Sequence, residues 1–214
     1  LLGERQNGIA VLWKHLIGAT IVNWTTMLIL VGLFFWFVFE AFWDLDNRKI
    51  PIWFSLATVI PGLAWLGFTV SSWAAVLMAI SIGATELTRR SFLLGFLGIF
   101  VPLTLIIDFF PSLYSLAAGW GILVVLWLVR VLGGADSLAG TALLLFYPTW
   151  KMGAAILAGM FFWSLALLFW KYRQDVGLRI WTIWKARAKG DQQAGIGAYT
   201  LAVFFYGVYR LIAH

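Results

Sequence analysis

The chain has no cysteine, and its only two histidines, His15 and His214, stand at opposite ends of 214 residues. Disulfides, thiolate metal sites and cysteine nucleophiles are therefore excluded. A histidine metal site or a Ser-His triad is not expected, and neither is any metal or cofactor. Charge is scarce too: 11% of residues are charged, against about 25% in an average soluble domain. No stretch is polar enough to form a separate soluble domain. What abounds is apolar, at 63% of residues with 14 Trp, 18 Phe and 6 Tyr and a mean hydropathy of +0.93. A disordered chain would be poor in aromatics, so both an ordinary soluble fold and disorder are ruled out.

A helix needs about 20 apolar residues to cross a bilayer, so this length allows eight or nine crossings at most. Apolar runs occur at 16–39, 52–70, 73–85, 91–107, 113–129, 137–148, 152–170 and 196–212. Lipid excludes irregular backbone, so each run is predicted to be a helix. The third and sixth are short enough to be tilted, broken or partly interfacial. The first run, after Lys14 and His15, is too long for the apolar core of a signal peptide. The predicted fold is all-α, a single polytopic membrane domain over 1–214 with about eight crossings.

Eight crossings place 11 of the 15 basic residues on one side: Arg48, Lys49, Arg89, Arg90, Arg130 and six between 171 and 189. The other side carries only Arg5, Lys14, Lys151 and Arg210. Positive charge marks the cytoplasm, so both termini are expected outside. The net charge of +6 speaks to orientation rather than to nucleic acid. Segment 171–193 mixes Ile180, Trp181, Ile183 and Trp184 with six basic residues. It reads as an amphipathic helix on the cytoplasmic surface, with 171–190 resting on anionic lipid.

Acidic residues number nine. Glu40, Glu86 and Asp108 read as markers of helix ends. Asp44 and Asp136 are different. Both follow odd-numbered crossings, so they share the cytoplasmic side although 92 positions separate them. Gly133 and Gly134 keep the approach to Asp136 free of bulk and can adopt positive φ. The helix beginning there favours a carboxylate at its amino end. Two facing carboxyls would share a proton around one water. One would act as general base on that water and the other would donate to a scissile carbonyl. The residues alone leave a second reading open, two unrelated aspartates at helix ends. Asp46 is the local rival to Asp44, but two helical positions turn a side chain by about 200°, so both cannot face one partner.

The segment DLDNRKIP, Asp44 to Pro51, resembles the D-x5-I-P motif of the type IV prepilin peptidase family, and the I-P spacing matches Asp44. GGAD, Gly133 to Asp136, resembles that family's G-x-G-D motif. AGTALLLFYP, which follows, is similar to the continuing helix of archaeal preflagellin peptidases. GIGAYTLA, Gly195 to Ala202, is similar to the family's last helix. The resemblance implies a membrane aspartyl endopeptidase with Asp44 and Asp136 as its catalytic pair, Gly133 and Gly134 beside the substrate, and no metal. Its substrate would be a prepilin-like or preflagellin-like protein, cut behind its basic leader at the cytoplasmic face of the cell membrane. The sequence departs from the family at Leu138, where Lys is frequent, at Ala135, and at Ile52, where Asn is frequent. Residues 71–110 read as an added helical hairpin. The Cys-rich segment that accompanies N-methyltransferase activity in many bacterial members is absent. The alternative is a non-catalytic assembly or scaffold protein that keeps the fold.

Overall fold

A computed structural model describes residues 24–43, 50–88, 90–129, 132–172 and 196–212. Among them are eight α-helices. These are α1 (Trp24–Trp43), α2 (Ile52–Thr69), α3 (Ser72–Leu87), α4 (Phe92–Phe109), α5 (Tyr114–Leu128), α6 (Gly134–Phe146), α7 (Trp150–Tyr172) and α8 (Gly197–Ile212). A single 3-10 turn, Pro111–Leu113, leads into α5. Every predicted run holds a helix where described, including both short ones, with its ends shifted by a few residues. The interfacial helix expected at 171–193 lies outside the described residues from 173 on.

Three segments are long and apolar enough to span a bilayer: Trp24–Trp43, Phe92–Phe109 and Pro111–Leu128. The outer surface of the bundle is apolar as well. On α1, Leu28, Val31, Phe35, Phe39 and Phe42 are exposed, while Leu30, Leu33 and Phe37 are buried. A helix apolar on both its inner and its outer face suits a lipid surrounding.

Helices adjacent in sequence run antiparallel. In the α3–α4 hairpin Gly98 abuts Ala84 and Gly95 abuts Thr88. Gly119 and Gly140 bring α5 and α6 together at Leu144 and Leu123. The α7–α8 seam is the tightest. A methyl on Gly159 would strike the Ala198 carbonyl, and one on Gly197 would strike the Trp163 ring. Only glycine permits that approach of backbone to backbone. A buried polar clasp ties three helices: the Trp120 indole donates to Ser81 Oγ at 2.8 Å, and Ser81 donates to the Ile99 carbonyl at 2.9 Å.

At the centre stands α6, only 13 residues long. It packs against α2, α5, α7 and α8, and everything from Ser137 to Leu145 except Leu138 is buried. Its near-continuous apolar character follows from being enclosed on all sides. Leu138 is partly buried and packs against the core, which gives an apolar residue a role at that position.

Candidate functional site

Asp136 is the third residue of α6. Gly133 precedes the helix in extended conformation, with φ −71° and ψ 160°. Its carbonyl accepts the first helical hydrogen bond, from Ser137 N at 3.0 Å. Its own N–H donates to Asp136 Oδ2 at 3.3 Å. The carboxylate thus answers an amide that the helix cannot pair and lies within the favourable field of the amino end. Neither Gly133 nor Gly134 takes positive φ, which corrects that expectation. The requirement at Gly133 is steric, since a Cβ there would lie 3.1 Å from Asp136 Oδ2. Gly134 is open, its nearest neighbour being Trp127 Nε1 at 3.7 Å. Both glycines are exposed, and Asp136 is half-buried.

Three other helices reach the end of the bundle where α6 begins. The last turns of α1 close over the start of α2, with Trp36, Phe39 and Trp43 all packed on Phe54. Gly62 of α2 meets Leu145 of α6, and with successive helices antiparallel, α2 and α6 point the same way. Tyr199 near the start of α8 packs between Phe37 of α1, ring centroids 6.2 Å apart, and Gly140 of α6. The end of α1 and the starts of α2, α6 and α8 therefore converge.

Buried polar residues gather at this end. Among the described residues, Glu40, Ser55, Thr58, Ser81, Ser137 and Thr141 are buried, and only Ser81 belongs elsewhere. Glu40 is completely buried and accepts from Trp36 Nε1 at 2.7 Å. It is therefore no marker of a helix end, unlike Glu86 and Asp108, which are exposed. Thr58 donates to the Ser55 carbonyl, Ser137 to that of Gly134 and Thr141 to that of Ser137. The hydroxyls of Ser55 and Tyr199 are buried without a hydrogen-bond partner among the described residues.

Asp44 and Asp46 lie outside the described residues; α1 is described up to Trp43, one position earlier. Sequence reasoning passed over Glu40 and Tyr199. The signal for Glu40 was present in its spacing, because 30, 33, 37 and 40 form one helical stripe. Among the described residues no three His, Cys, Asp or Glu side chains are grouped to hold a metal.

No family model, curated protein or solved structure matches the chain.

Proposed function

We propose that this chain is a multi-pass membrane protein housing an aspartyl endopeptidase centre. The observation that carries the reading is the setting of Asp136, at the amino end of the most enclosed helix and amid the concentration of buried polar groups. A bundle bathed in lipid has no packing reason to collect carboxyl and hydroxyl groups at one end. The buried stripe of α1 progresses through Leu30, Leu33, Phe37 and Glu40. Continued in sequence at the same spacing, it falls on 44 and bypasses 46. Asp44 is accordingly the second member of the pair.

In this reading one carboxylate takes a proton from a water held between the two. The resulting hydroxide adds to the scissile carbonyl carbon, while the other, protonated carboxyl donates to the carbonyl oxygen. Collapse of the tetrahedral adduct breaks the C–N bond, and the amine leaves with a proton from the first acid. Gly133 and Gly134, exposed and without side chains, leave the extended substrate strand room beside Asp136.

More particularly, the motifs around Asp44 and Asp136 favour a peptidase of prepilin-like or preflagellin-like leaders. The basic bias of the connections supports a site at the cytoplasmic face of the cell membrane, with about eight crossings and with segment 171–190 on anionic lipid. The test is cleavage by the purified protein in liposomes of a substrate with a basic leader followed by an apolar helix. Cutting at the leader boundary, lost in Asp44→Asn and Asp136→Asn but retained in Asp46→Asn, is the expected result. Uncut substrate with the wild-type chain leaves the scaffold reading in its place. Because the chain lacks cysteine, single cysteines at Asn47 and Gln174 report the topology, and labelling only from outside would overturn it.

A further inference from the structure

Tyr199 is a deeply buried polar side chain near Asp136. Its residue is 1% exposed. The ring is fixed on two sides, by Phe37 of α1 at 6.2 Å between centroids and by α6 at Gly140. There a Cβ would come within 3.0 Å of Tyr199 Cε1 and 2.9 Å of Leu123 Cδ1. Gly140 is one helical turn beyond Asp136, on the same face. The ring atom that touches it is the one next to the hydroxyl-bearing carbon. The phenol is close enough to the Asp136 carboxyl for the two to interact electrostatically. Yet the hydroxyl, although buried, has no hydrogen-bond partner among the described residues. A buried O–H without such an acceptor calls for one, and a bound water is the smallest that supplies it.

We infer that the Tyr199 hydroxyl is a third polar member of the Asp136 site, donating to a water that in turn donates to the Asp136 carboxylate. Tyr199 is then a positioning residue. It fixes the water through the lone pair left free, and α6 carries glycine at 140 so that the phenol can reach this depth. The contact itself is independent of the reaction; its role in cleavage rests on the peptidase reading. Among the described residues of the neighbouring helices, α2 carries no titratable group, α5 carries only Tyr114 at its far end, and Glu40 of α1 accepts from the Trp36 indole through Oε1.

Infrared difference spectroscopy tests the contact without reference to activity. The carboxyl band of Asp136, identified by its loss in Asp136→Asn, should move in Tyr199→Phe and in Gly140→Ala, which displaces the ring. An unmoved band overturns the contact. In the liposome assay Tyr199→Phe should lower kcat about 10²-fold with KM little changed, as loss of one preorganised donor does. It should leave thermal unfolding unaltered. A wild-type protein that cleaves, with Tyr199→Phe cleaving as fast, overturns the positioning role and leaves the peptidase reading intact. A wild-type protein that cleaves nothing overturns the peptidase reading, while a moved band still upholds the contact.

Discussion

The two ends of the bundle handle polar groups in opposite ways. At the end away from Asp136, the Tyr147 hydroxyl donates to the Thr26 carbonyl at 2.7 Å, and Ser115 donates to that of Pro148 at 2.6 Å. Lys151 reaches the Tyr209 hydroxyl and lies 4.6 Å from the centre of its ring, while Tyr147 stacks near Tyr206. These groups fasten one element to another. At the Asp136 end the hydroxyls of Ser55, Tyr199 and Thr200 are buried without partners among the described residues. An unpaired buried hydroxyl costs about 1–3 kcal/mol unless a bound water or ligand supplies the partner. One end fastens its elements together and the other leaves polar groups open to a partner, which is where the proposed site lies.

Substitutions can break this contrast or sharpen it. The largest effect is expected for Asp136→Asn, a loss of cleavage of about 10²–10⁴-fold with unfolding unchanged; full activity would remove the distinction between the ends. Next is Gly134→Val. Nothing lies within 3.4 Å of a Cβ there, so the fold should survive. Cleavage should nevertheless fall about 10²-fold, because a substrate strand displaced by about 1 Å reacts that much more slowly. Normal cleavage would deny the glycines their part. Ser81→Ala strands the Trp120 indole in the core and should lower stability by about 1–3 kcal/mol in equilibrium unfolding, with kcat unaffected. Tyr147→Phe should cost about 0.5–1.5 kcal/mol, again without kinetic consequence. The matching change at Tyr199 should do the reverse, and identical behaviour of the two variants would collapse the comparison.

The smallest effect is alkaline. Burial pushes the Tyr147 phenol well above the ordinary tyrosine value of about 10; Tyr206 adds to the rise and Arg210 opposes it. The folded state then keeps a proton that the unfolded chain loses. Stability from this group is fully present below about pH 10 and declines as pH climbs toward the folded value. Unfolding measured across this range should show a shallower decline in Tyr147→Phe.

Helix positions were largely legible in the sequence, because lipid demands long apolar runs and punishes interruptions. The run predicted at 91–107 became Phe92–Phe109, and the short one at 137–148 became Gly134–Phe146. Asp136 was legible through its glycines, whose lack of bulk matters beside the carboxylate at Gly133; the positive φ that glycine also allows is taken at neither position. Glu40 was misread because a carboxylate near a helix end is normally a boundary; only its place on the 30-33-37 stripe reveals that it points inward. Tyr199 could not be found at all. Its significance depends on Gly140, 59 positions away, and no local pattern announces which helix an aromatic ring will lean on.

The brevity of α6 has a geometric corollary. Tyr147, just past its end, is pinned beside Thr26, and Phe37 reaches the depth of Tyr199. From Phe37, α1 continues for six residues to Trp43, about 9 Å at 1.5 Å per residue. Tyr199 also meets Gly140, and from there α6 runs back six residues to Gly134, likewise about 9 Å. The two helices therefore rise to the same level, and Asp136, four residues from Gly140, stands about 3 Å below it. An extended strand advances about 3.3 Å per residue, so a chain lying across this end would meet the acid without threading between helices. On the peptidase reading, the bond is then chosen by where a substrate lies along the surface, and not by how deep it can reach.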